Sequence, residues 1–101
     1  MNTLEYQVAL ERKNATYAII TVVDTEGSSP YTIGKKMIID SLGDSYGTVG
    51  GGALESQIKD DALASIQEGK SILKHYTHTP DYVEEGLGCR FKASVFIEVY
   101  R

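Results

Sequence analysis

Gly47-Thr48-Val49-Gly50-Gly51-Gly52-Ala53-Leu54-Glu55 decides how this chain is read. A short apolar strand runs into three consecutive glycines, and a helix opens directly behind them with no side-chain cap. Downstream, Leu54, Ile58, Ala62 and Ile66 recur every fourth residue and predict one apolar helix face. Gln57, Asp60, Asp61, Ala64 and Glu68 fall on the far side. Gly69 stops the helix, with Lys70 beside the negative end of its dipole. Glycines without Cβ atoms let a ligand approach the backbone. The first helical turn adds unpaired N–H groups and partial positive charge. Together they suit phosphate or another oxyanion. A tight turn that needs glycine only for its dihedrals accounts for the same residues equally well. Glu55, in that first turn, is either a carboxylate complementing the dipole or one aimed into the pocket.

Working outward, residues 17–23 form a near-continuous β-branched run, as expected of a strand buried on both faces. Residues 24–30 are rich in turn formers and read as a polar loop. Residues 35–40 read as a second strand, 41–44 as a hairpin turn and 45–49 as a third strand. Residues 3–13 predict a short helix with Thr3 as N-cap and Asn14 as its stop. Residues 71–77 read as a strand and 80–88 as a loop or short helical turn. In the last strand, 93–100, Val95, Ile97 and Val99 alternate with Ser94, Phe96 and Glu98. The pattern predicts one α/β (α+β) domain over residues 1–101, with two main helices and about five strands in a mixed or antiparallel sheet.

A chain of 101 residues with 42% hydrophobic content can bury one modest core. Its net charge of −4, with no basic stripe, argues against a nucleic-acid partner. No apolar run is long enough to cross a bilayer, and no positive cluster precedes an apolar core at the start, so a cytoplasmic location is expected. Cys89 is the only cysteine, which rules out an internal disulfide or a thiolate-rich metal site within one chain. His75 and His78 have the spacing of a helix face but fall in a strand, so they do not read as a zinc pair. The glycines match neither the dinucleotide fingerprint nor the P-loop, and no nucleophile elbow is present.

Three segments stand at strand ends: 25–30, 50–55 and 86–90. If they meet, one pocket holds Ser28, Ser29, Gly50, Gly51, Gly52, Glu55, Cys89 and Arg90. Amides and the Arg90 guanidinium would bind oxyanions, hydroxyls would add hydrogen bonds, and Cys89 would supply a soft ligand. Arg90 and a helix N-terminus would favour the thiolate. A lone cysteine beside glycine is more often a small packed residue.

The same segments resemble the XdhC/CoxI family. Residues 22–30, Val-Val-Asp-Thr-Glu-Gly-Ser-Ser-Pro, resemble its opening motif. Residues 47–55 resemble its G-S-V-S-G-G-C-[LV]-E segment, and residues 86–89 its G-L-x-C-G-G segment, followed by the strand at 95–99. The resemblance implies a non-catalytic, chaperone-like accessory protein that binds molybdenum cofactor (molybdopterin) and hands it to an apo molybdenum hydroxylase such as xanthine dehydrogenase. It implies Cys89 as contact to the cofactor's molybdenum, and a cysteine desulfurase as a further partner. Two positions depart: Ala53 replaces the first family cysteine, and Arg90-Phe91 replace the glycines after the second. Relatives continue into a Rossmann domain, so this chain is expected to hold the first domain alone, with a separate Rossmann-domain partner and a homo-oligomer as expected associations. A dimerisation or docking module that has lost the cofactor is the alternative. A hydrolase or transferase using Cys89 as nucleophile is a third reading.

Overall fold

The computed structural model of the chain describes residues 2–27, 29–78 and 91–101. The expected loop or short helical turn at 80–88 lies outside them. The elements in order are α1 (Thr3–Arg12), β1 (Tyr17–Gly27), β2 (Lys36–Asp40), β3 (Ser45–Gly47), α2 (Gly52–Glu68), β4 (Ile72–His78) and β5 (Phe91–Tyr100). The five strands form one sheet in the order β3-β2-β1-β5-β4. Every neighbouring pair is antiparallel, so of the two sheet types expected, the antiparallel one is present. The short turn between β2 and β3 leaves no room for the crossover that parallel strands need.

The four-residue stripe is what α2 buries. Leu54, Ile58, Ala62 and Ile66 pack on Ala18, Ile20, Val22, Met37, Ile39, Val95 and Ile97 of one sheet face. On the opposite face, Leu10 of α1 covers Tyr17, Ile19 and Ile38. The first half of β1 is therefore enclosed on both sides, as its unbroken apolar run requires.

Local signals set the helix ends. Asn2, not Thr3, caps α1: its side chain accepts the Glu5 N–H at 2.8 Å. Asn14, at φ 55°, turns the chain out of the helix. Gly69 closes α2 at φ 69°, with its N–H on Ile66 O at 3.2 Å and the Lys70 N–H on Ser65 O at 3.1 Å. The cation at these carbonyls is Arg101, whose Nη2 donates to Ile66 O at 3.3 Å; Lys70 supplies its amide.

Three expectations are corrected. β1 does not end at Val23 but runs to Gly27, paired with β5 down to Gly27↔Phe91. The register shifts between Val22 and Asp24, a β-bulge at Val23. Plain alternation would turn Asp24 toward the side of Val22, under α2. The extra residue instead leaves Asp24 and Glu26 exposed, so a polar stretch continues the strand without burying carboxylates. β3 stops at Gly47, two residues early, because its positive φ of 84° breaks the extended run. Asp61 is not on the solvent side of α2. It is half-buried and accepts the Tyr76 hydroxyl at 2.5 Å, on the flank of the helix that faces β4.

Candidate functional site

The glycine turn joins β3 to α2 and has backbone angles that L side chains rarely adopt. Gly50, Gly51 and Gly52 have φ of 156°, 79° and 76°. Only at Gly50 is space also decisive. A Cβ there would lie 2.6 Å from the Tyr31 ring, so the aromatic plane rests directly on bare backbone. The Tyr31 hydroxyl donates to Gly51 O at 3.1 Å, and its ring packs against Phe91 with centroids 5.7 Å apart. Tyr31 is only 3% exposed.

Glu55 bends back onto the turn. Its Oε1 accepts the Thr48 hydroxyl, the Val49 N–H at 2.9 Å and the Gly51 N–H at 3.1 Å. The Gly50 N–H donates to Thr48 Oγ1 at 3.2 Å. Burial alone would raise this carboxyl's pKa. The Thr48 hydroxyl and the loop amides outweigh it and hold the pKa below the usual glutamate value. Of the two roles open for Glu55, neither describes it fully. The carboxylate is the anion that this loop already holds. Two of the three glycine amides expected to face a ligand, those of Gly50 and Gly51, are taken by the protein itself. The amides of Gly52, Ala53 and Leu54 remain. They precede the first intrahelical bond of α2, which has no side-chain cap.

Beside this turn lies a pocket of about 170 Å³ lined by Pro30, Tyr31, Gly50–Gly52, Ala53, Leu54 and Phe91. The described flanks of the three predicted segments do meet here. Pro30 and Tyr31 come from the first, the glycines from the second, and Phe91 directly follows the third. Ser29 lies one step back, its Oγ accepting the Tyr31 N–H at 2.9 Å. Ser28, Cys89 and Arg90 lie outside the described residues. His75 stands apart from this pocket on β4, with Nδ1 2.7 Å from Ser94 Oγ. Among the described residues, no group of three or more His, Cys, Asp or Glu side chains could hold a metal ion. No helix among them is long and apolar enough to cross a membrane.

Sequence reading missed Tyr31 and Thr48. Tyr31 follows a Ser-Pro turn with no periodic signal, and its partner glycine is 19 positions away. Thr48 carried a local clue, since a hydroxyl just before a glycine turn can pair with a carboxylate in the helix behind it.

The family model for XdhC and CoxI matches residues 10–77, and so takes in β1, the glycine turn and α2. This chain belongs to the XdhC and CoxI family. Over 101 residues, 99% of its own length, it is 32% identical to the uncharacterized protein YqeB of Escherichia coli (strain K12), of which it spans 18%. It also resembles a crystal structure of a xanthine dehydrogenase from Bacillus halodurans, with a TM-score of 0.76 and 26% identity. That match covers 98% of this chain and 30% of that one. The XdhC and CoxI chain described here thus spans less than a third of the length of either relative.

Proposed function

We propose that this domain serves in the maturation of a molybdenum hydroxylase of the xanthine dehydrogenase kind. In this reading it binds molybdenum cofactor, or a related anionic ligand, at the glycine turn. It acts as a cytoplasmic carrier without catalysis of its own; the redox chemistry belongs to the cofactor once seated in its client. The observation that carries the reading is the convergence of Pro30, Tyr31, Gly50–Gly52 and Phe91 on one pocket at an uncapped helix start. About 170 Å³ is small against the roughly 300–1,000 Å³ that encloses a whole drug-sized ligand. The pocket therefore fits one end of the cofactor, its anionic oxygens, against the Gly52, Ala53 and Leu54 amides. Ser28, Ser29 and Arg90 would add polar contacts and Cys89 a soft one to molybdenum. Partners are the apo-hydroxylase, a cysteine desulfurase, a separate Rossmann-domain chain and a second copy of this chain. The test is titration of the purified protein with molybdenum cofactor, molybdopterin and inorganic phosphate. Saturable binding that Cys89→Ser weakens is expected. No binding by the intact protein refutes the reading, and unchanged affinity in Cys89→Ser removes Cys89 from it.

One observation favours the alternative, a docking module that has lost the cofactor. Glu55 fills the loop amides, and Ala53 stands where the family carries a cysteine. Co-purification of a molybdenum hydroxylase or desulfurase with a cofactor-free domain would decide for that alternative.

A further inference from the structure

The two edges of the sheet are treated differently. The β3 edge is short: three residues, ending at a positive-φ glycine. Its Tyr46 is stacked on Tyr6 of α1, with ring centroids 5.1 Å apart. The β4 edge is long. It runs seven residues, Ile-Leu-Lys-His-Tyr-Thr-His, and pairs with β5 without a register shift from Ile72↔Ile97 to His78↔Phe91. It contains no proline, glycine or bulge, the usual devices that stop an edge from pairing further. Its one formally charged residue, Lys74, lies on the helix side, 4.0 Å from Asp61. Among the described residues, no strand lies beyond β4.

We infer that β4 pairs antiparallel with β4 of a second copy of this chain, about a two-fold axis at His75, joining two sheets into one. This register uses all seven residues of the strand. It sets Leu73 opposite Thr77, Lys74 opposite Tyr76, Ile72 opposite His78, and His75 opposite its own copy. Charge supports it. Each Lys74 meets the other copy's Tyr76, whose hydroxyl is bonded to Asp61, so cations and carboxylates alternate across the axis. A register centred on Lys74 would instead place two like charges face to face. The inference takes up the second copy named above but does not rest on cofactor binding; pairing and ligand titration are read out separately.

His75 stands on the axis. Its ring is exposed, with Nδ1 on Ser94 Oγ, and Asp24 and Glu26 of β1 and Lys92 of β5 border the same open groove, of about 410 Å³. A fixed positive charge at position 75 would meet its own copy directly, which weakens a cross-strand pair.

Sedimentation velocity on the intact chain, with far-UV circular dichroism as the check on folding, tests the inference. A dimer is expected at neutral pH. His75→Gln keeps the dimer; His75→Lys, which sets two fixed cations face to face on the axis, gives monomer. In a Cys89→Ser background, His75→Cys forms a disulfide-linked dimer on a non-reducing gel, because a residue on the axis meets itself. A wild-type chain that stays monomeric at its highest soluble concentration overturns the inference. So does a dimer that His75→Lys leaves intact, or a folded His75→Cys protein that does not cross-link.

Discussion

Replacing Gly50 by alanine tests the arrangement at the glycine turn most directly. An alanine held at φ 156° is strained, and the left-handed region costs a non-glycine residue about 1–2 kcal/mol. The new methyl would also lie 2.6 Å from Tyr31 Cδ1 and 2.7 Å from Cε1. Tyr31 cannot yield cheaply. It is 3% exposed, its hydroxyl is bonded to Gly51 O, and Phe91 backs its ring. Forcing atoms into such a site adds about 1–3 kcal/mol. The total is about 2–5 kcal/mol, or a fall in Tm of roughly 10–30 °C for a domain this small. Gly51→Ala is the control. It has φ 79° and nothing within 4 Å of its Cβ position, so only the dihedral cost of about 1–2 kcal/mol applies. Urea unfolding of both variants, repeated in a Tyr31→Leu background, isolates the steric part as a coupling energy. Equal losses for Gly50→Ala and Gly51→Ala, or a Gly50→Ala penalty unchanged by Tyr31→Leu, would refute the reasoning.

Three further outcomes follow from the polar contacts. Glu55 has a folded pKa below the ordinary 4.5, because hydrogen bonds from Thr48 and the loop amides outweigh its desolvation. Its contribution is thus complete above that value and lost as pH falls through the lowered folded one. Glu55→Gln should cost about 1–3 kcal/mol at neutral pH and flatten the acid limb of stability; an unchanged limb in denaturant titrations speaks against the contact. Tyr17 and Tyr31 are both pushed up to about 12, by burial first, with the Glu11 hydrogen bond adding at Tyr17 and the Glu55 charge at Tyr31. Raised folded values mean stability that is complete below about pH 10 and lost as pH climbs through 12. Ultraviolet titration of the seven tyrosines should show these two ionising late, together with Tyr76, which burial and the Asp61 hydrogen bond raise further, and Tyr17→Phe should remove one of the three. Tyr76→Phe should cost about 1–2 kcal/mol by releasing Asp61, read by urea midpoint; a midpoint shift near zero would make that contact inert.

The parts legible in the sequence are those fixed by short-range pattern. The Leu54, Ile58, Ala62 and Ile66 spacing identified the buried face of α2, and residues 17–23 announced a strand enclosed on both sides. Gly69 and Asn14 marked helix ends because their backbone angles are local. What escaped depended on distant chain. The strand character of residues 24–27 comes from pairing with β5, nearly seventy positions on, and no turn-former statistic contains that partner. Asp61 looked solvent-facing until Tyr76 of β4 reached it. From sequence the glycine turn stays divided between an anion pocket and a plain tight turn, because sequence shows that Glu55 lies in the first turn, not which way its side chain bends. Family membership, by contrast, is shown over residues 10–77, which take in the motifs at 22–30 and 47–55; the third, at 86–89, lies beyond that match.

The irregularity at Val23 has a consequence for how this part of the chain tolerates change. Val23 is 42% exposed, so exchanging it for serine or lysine should leave the fold intact. Deleting it should do so as well. Asp24 would then follow Val22 directly, opposite Ser94 as before, and Asp24 and Glu26 would keep the open side while Thr25 keeps the covered one. Removing Thr25 instead should be costly, because whichever way the strand re-pairs one of the two carboxylates then turns under α2. A gap of one is harmless at the spare position and a grave lesion two residues on.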